Sequence, residues 1–115
     1  TNPILEIKVV CEELAGTKFN SVLLNLYRDG NDTVGWHSDN EPELGRDPTI
    51  VSVSLGTTRR FDLRHKQTKE TVKVALASGS ALVMAGRTQT AWSHQVPRTK
   101  KVMEPRINLT FRHVY

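Results

Sequence analysis

Beyond Gly16, the apolar residues of this chain recur at every second position rather than every third or fourth. That spacing commits most of the sequence to strands, because successive side chains of an extended backbone point to opposite faces. Within 50–55, Val51, Val53 and Leu55 alternate with Ser52 and Ser54. Within 106–112, Ile107, Leu109 and Phe111 alternate with Arg106, Asn108, Thr110 and Arg112. Segments 19–28, 33–39, 60–64, 71–76 and 81–85 read the same way, and clusters such as Asp29-Gly30-Asn31-Asp32 mark turns between them. About eight short strands so punctuated predict a mainly β fold, most simply a double-stranded β-helix, or jelly roll.

The segment ahead of Gly16 follows a helical period. Ile4, Ile7, Val10, Cys11 and Leu14 come after Asn2-Pro3. Asn2 suits an N-cap, Pro3 the first turn and Gly16 the C-terminal cap, so one amphipathic N-terminal helix is expected. A length of 115 residues allows one domain with a real core. Sixteen Lys and Arg against 12 Asp and Glu leave a net charge of +4. This excess suits a polyanionic partner, and it serves plain solubility equally well. The single cysteine, Cys11, cannot form an internal disulfide, which points to a reducing, intracellular setting. Its place in the helical pattern reads as a small buried hydrophobe. No apolar run is long enough to span a bilayer as a helix. The chain opens on Thr1 rather than Met, which fits a fragment.

Four groups of polar residues stand out against the strands. In His37-Ser38-Asp39, positions i and i+2 face one way, so an imidazole nitrogen and a carboxylate oxygen can share a metal. An exposed strand end explains the same triplet without any metal. Arg106 and Arg112 share one strand face with Asn108. A guanidinium fork there can grip a carboxylate with two parallel hydrogen bonds, although a half-solvated strand shows the same alternation. Asn25 and Tyr27 share one face of their strand, while Val22, Leu24 and Leu26 fill the other. A buried Asn requires partners, from protein or from a ligand. His94 completes a set of two histidines and one carboxylate. That set holds non-haem Fe(II) with open positions, and zinc competes for the same ligands.

From Phe19 to Tyr115 the chain resembles the AlkB family of dioxygenases. The likeness rests on Asn25-Leu26-Tyr27, Trp36-His37-Ser38-Asp39, Glu41-Pro42, Ser93-His94-Gln95-Val96-Pro97 and Pro105-Arg106-Ile107-Asn108-Leu109-Thr110-Phe111-Arg112. It implies a jelly-roll dioxygenase core over 19–115, preceded by a helical remnant of an N-terminal lid over 1–18. It implies Fe(II) as metal, held by His37, Asp39 and His94, and 2-oxoglutarate as cosubstrate. Arg106 then resembles the fork on the distal carboxylate, and Asn25, Tyr27 and Asn108 resemble further polar contacts. Arg112 resembles an arginine beside the metal-side carboxylate and Asp39. Glu41 resembles an acid facing the exocyclic amine of the damaged base. Trp36 and Trp92 match family positions and read as packing.

The activity implied is oxidative demethylation of bases of the 1-methyladenine and 3-methylcytosine type in DNA or RNA. It consumes O2 and 2-oxoglutarate and releases formaldehyde, CO2 and succinate. The base would be single-stranded or flipped out, and the enzyme a monomer. The chain departs from the family in having only about 18 residues ahead of the matched region, with no recognisable aromatic to stack on the base. Basic residues at Arg59, Arg60, Arg64, Lys66, Lys69 and Lys73, and at Arg98, Lys100 and Lys101, are expected near turns, facing phosphate or water. Two other readings use the same residues: a nucleic-acid-binding module without chemistry, and a dioxygenase acting on protein.

Overall fold

The computed structural model describes residues 2–101 and 104–115. The N-terminal helix α1 (Pro3–Ala15) forms as its end signals demand. Asn2 Oδ1 accepts the Ile4 N–H at 2.9 Å, and Gly16 adopts a left-handed φ of 70° while donating to the Glu12 carbonyl. Buried Glu12 then accepts the Phe19 N–H at 2.8 Å and fixes the exit of the chain.

Eight strands follow: β1 (Ser21–Tyr27), β2 (Val34–His37), β3 (Ile50–Gly56), β4 (Arg59–His65), β5 (Thr71–Leu76), β6 (Ala81–Met84), β7 (Trp92–Val96) and β8 (Arg106–Arg112). A 3-10 turn at Pro42–Leu44 and a one-turn helix α2 (Thr88–Ala91) lie between them. The strands build two antiparallel four-stranded sheets, ordered β1-β8-β3-β6 and β2-β7-β4-β5. This mostly β architecture with one N-terminal helix agrees with the fold class expected from the strand periodicity.

Two apolar clusters flank the first sheet. One fills the space between the sheets, with Tyr27, Ile50, Phe61, Leu76, Met84 and Val96 buried in it. The other joins α1 to the outer face of the first sheet through Cys11, Phe19, Val51, Val53, Leu109 and Phe111. The residues between these in β8 and β3, Asn108, Ser52 and Ser54, therefore face inward. This settles which face of each strand points inward, which the alternation alone left open. The polar face of β8 is not the water side: Arg106 and Asn108 are 2% and 7% exposed. On β1 the apolar face is the one left open, with Leu24 and Leu26 53% and 60% exposed while Tyr27 is buried. The cause is a polar cavity beside the apolar cluster between the sheets, which draws the polar faces of β8 and β1 inward.

Candidate metal and cosubstrate site

β2 and β7 are neighbours, and their register sets His37 directly opposite His94. β7 is a strand that periodicity did not single out. It turns His94 inward against the Phe61 ring, stacked at 5.2 Å, with Leu63 of β4 in register behind it. Asp39, two residues past β2, completes a cluster whose ligand atoms all lie within 4.8 Å of one another. His37 Nε2 stands 3.8 Å from Asp39 Oδ1, and His94 Nε2 stands 3.6 Å from Asp39 Oδ2. His37 Nδ1 lies 2.8 Å from the Gly35 carbonyl. A carbonyl only accepts, so Nδ1 carries the proton and Nε2 presents its lone pair to the cluster. Gln89, fully buried on α2, accepts the Asp39 N–H at 2.8 Å through the same oxygen that contacts His94 Nε2 at 3.2 Å.

Burial dominates the electrostatics here. It pushes the His94 imidazole down to about 4, with the neighbouring His37 adding to the effect. It raises the Asp39 carboxyl above its usual range; His37 and Arg112 oppose that shift and Glu41 reinforces it. Desolvation thus favours the uncharged forms, and a divalent cation at the cluster would reverse the balance by stabilising the carboxylate.

The other end of the same cavity is built by β8. Arg106 donates from Nη2 to Ser54 Oγ at 2.8 Å, but its buried Nε and Nη1 have no partner. Its Cζ sits 4.9 Å from the centre of the Tyr27 ring. Among the described residues no carboxylate lies within ion-pair reach of it. Asn108 donates to Ser52 Oγ and accepts from Thr110 Oγ1 at 2.8 Å, and on β1 Asn25 is its register partner. Arg112 Nε is also buried without a partner.

His37, Asp39, His94, Arg106, Asn108 and Arg112 all line one cavity, as do Asn25 and Tyr27. About 580 Å³ of atom-free space lies there, part of it continuous with solvent. The donor set of two imidazoles and one carboxylate fits a metal with open positions. The orphaned N–H groups of Arg106 fit a carboxylate, the counter-charge that a buried guanidinium lacks here. Glu41 stands outside the lining as an exposed residue whose carbonyl accepts the Leu44 N–H. Trp36 is 37% exposed, with the Arg64 guanidinium 4.2 Å from its ring centre. Arg59, expected near a turn facing phosphate or water, is 2% exposed. Gln89 falls in no motif, so sequence reasoning passed over it as a site residue.

A jelly roll holding this combination defines a class of metal-dependent oxygenase. The model of the 2OG-Fe(II) oxygenase superfamily matches residues 2–112, and the chain belongs to that superfamily. Within it the chain is AlkB-like. It is 49% identical over 97% of its length to the alpha-ketoglutarate-dependent dioxygenase alkB homolog 3 of Bos taurus, covering 42% of that protein. It is 43% identical over 97% of its length to the DNA oxidative demethylase ALKBH2 of Homo sapiens, covering 46% of that protein. The chain thus spans less than half the length of these curated relatives. Among solved structures, OsALKBH1 superposes with a TM-score of 0.66 at 25% identity, covering 94% of this chain and 61% of that one.

Proposed function

We propose that this chain is the metal- and cosubstrate-binding core of an enzyme that oxidatively removes alkyl groups from bases of DNA or RNA. What supports this most is one cavity that pairs a two-histidine, one-carboxylate cluster with a buried guanidinium lacking a protein anion. In this reading His37, Asp39 and His94 hold the metal. Arg106 forks onto the distal carboxylate of 2-oxoglutarate, and Asn25, Tyr27 and Asn108 give it further hydrogen bonds. Arg112 steadies the Asp39 carboxylate and the metal-side end of the cosubstrate. When bound, Fe(II) with 2-oxoglutarate and O2 supplies the oxidising chemistry that hydroxylates an N-methyl carbon, with succinate and CO2 as coproducts and formaldehyde released afterwards.

The chain's own residues orient and shield. Phe61 and the apolar cluster behind it keep water from the His94 side of the site. Glu41, exposed and close enough to Asp39 to act on its charge, is in this reading the acid that accepts a hydrogen bond from the exocyclic amine of the base. Bases of the 1-methyladenine and 3-methylcytosine type suit it, presented single-stranded or flipped out of a duplex. The net positive charge draws the polyanion.

Anaerobic titration with Fe(II) and then 2-oxoglutarate should produce the visible absorption of the chelate. His37→Ala and His94→Ala should each abolish that band, together with formaldehyde release from methylated single strands. A full band in either variant would place the iron elsewhere. Release from methylated peptides but from no methylated DNA or RNA would move the substrate to protein.

A further inference from the structure

Arg59 opens β4, and its buried guanidinium reaches three segments of chain. Nη1 donates to the Asp29 carbonyl at 3.0 Å, and Nη2 donates to the carbonyls of Asp32 at 3.0 Å and Pro97 at 2.9 Å. All three acceptors are neutral. Among the described residues, no carboxylate lies within ion-pair distance of Arg59. Its Cζ is 5.6 Å from the centre of the Tyr27 ring, the same ring that Arg106 approaches to 4.9 Å.

We propose that Arg59 is a positioning residue of the cosubstrate site, a second cation behind Tyr27 that strengthens the field felt by the distal carboxylate of a dicarboxylate. The inference rests on reading the Arg106 cavity as the 2-oxoglutarate site. A buried cation without an anion is costly, and carbonyl dipoles stabilise it without cancelling its charge. Two such cations therefore share Tyr27 with no carboxylate among the described residues in contact with either, although the Asp32 carboxylate, paired with Arg28, feels the charge of Arg59. Arg106 keeps unpartnered N–H groups for contact; Arg59 has committed its Nη groups to backbone and acts through charge and placement. The segments it clamps are already joined, because the Thr99 N–H donates to the Gly30 carbonyl at 3.0 Å. The β1–β2 turn, the stretch after β7 and the start of β4 thus meet on one guanidinium at the anion end of the cavity.

The test measures affinity for 2-oxoglutarate by calorimetry on Mn(II)-loaded protein, with Mn(II) affinity measured separately. Arg59→Met should weaken 2-oxoglutarate binding about tenfold, the effect of one unit charge lying behind the contacting one at an intermediate effective dielectric. Mn(II) affinity should stay within about twofold, since the clamp touches none of the metal-cluster residues. Arg59→Lys keeps the charge and should retain 2-oxoglutarate affinity within about threefold. Unchanged 2-oxoglutarate affinity in Arg59→Met overturns the proposal, as does an equal loss of Mn(II) and 2-oxoglutarate, which would mark a merely structural clamp. Should Arg59→Met fail to fold, Arg59→Gln, which keeps donors for the carbonyls but not the charge, decides: a tenfold loss confined to 2-oxoglutarate supports the field, and unchanged affinity refutes it. Absence of 2-oxoglutarate binding in the unsubstituted protein, or its persistence in Arg106→Met, would instead sink the reading of the cavity.

Discussion

Replacing Arg106 with methionine should separate binding from stability in opposite directions. The guanidinium is 2% exposed, donates one identified hydrogen bond, and leaves two buried N–H groups without partners. Two orphaned donors cost about 2–6 kcal/mol together. The bond to Ser54 and the Tyr27 ring return about 3–4 kcal/mol. The arginine therefore adds little to the stability of the ligand-free fold, and its lowered pKa, caused first by burial, has the same origin. An unbranched apolar side chain of similar length removes the desolvation penalty, so Arg106→Met should leave the ligand-free protein between unchanged and about 2 kcal/mol more stable. At about 4 °C per kcal/mol for a domain of this size, that is a rise of up to about 8 °C in the unfolding midpoint. Cosubstrate binding should fall at least about a hundredfold, because a carboxylate entering the cavity would then be buried unpaired. Thermal unfolding with Mn(II), with and without 2-oxoglutarate, reads both effects. The unsubstituted protein should gain stability on adding 2-oxoglutarate, and the variant should start level or higher and gain nothing. A midpoint several degrees below that of the unsubstituted protein in the absence of ligand would show that the charge is already compensated, and would refute the reasoning.

Two further outcomes follow from the same geometry. The folded state holds His94 at about 4, below its ordinary 6.5, so the unfolded chain binds more protons between those values. The metal-free protein should keep this contribution above pH 6.5 and lose it as pH falls toward 4, by an amount on the order of 3 kcal/mol; urea midpoints across that range check it, and His94→Gln should flatten the slope. At the β1–β2 turn, a Cβ added to Gly30 would collide with the Thr99 carbonyl oxygen. Gly30→Ala should therefore push the turn off the stretch after β7 and cost about 1–3 kcal/mol in urea unfolding, with weakened 2-oxoglutarate binding beside it.

The helix was legible because its two ends carry local chemistry: an Asn that caps and a Gly that accepts positive φ. Most strands were legible because period 2 survives in any tertiary setting. Which face points inward was not, since alternation is symmetric. Only the assembled sheets reveal that Arg106, Asn108 and Tyr27 face a polar interior while Leu24 and Leu26 face out. β7 escaped notice because Trp92-Ser93-His94-Gln95-Val96 is short and carries a buried imidazole where an aliphatic residue would have completed the pattern. That His37 and His94 meet was expected from resemblance, whereas the facing register of β2 and β7 that brings them together is a tertiary fact. Gln89 reaches Asp39 and His94 with a long side chain from the turn ahead of β7, and no local spacing encodes that.

The pairing of β2 with β7 has a consequence of its own. Between Val34 and His37 the ladder is irregular, so this four-residue strand, at the border of its sheet, is held by few backbone rungs. A slip of one residue would throw one imidazole to the opposite side. An ion gripping both rings and Asp39 would act as a cross-brace that permits a single alignment. Occupancy would then be written into amide protection along residues 34–37, with the strand firm when the ion is present and fraying when it is withdrawn.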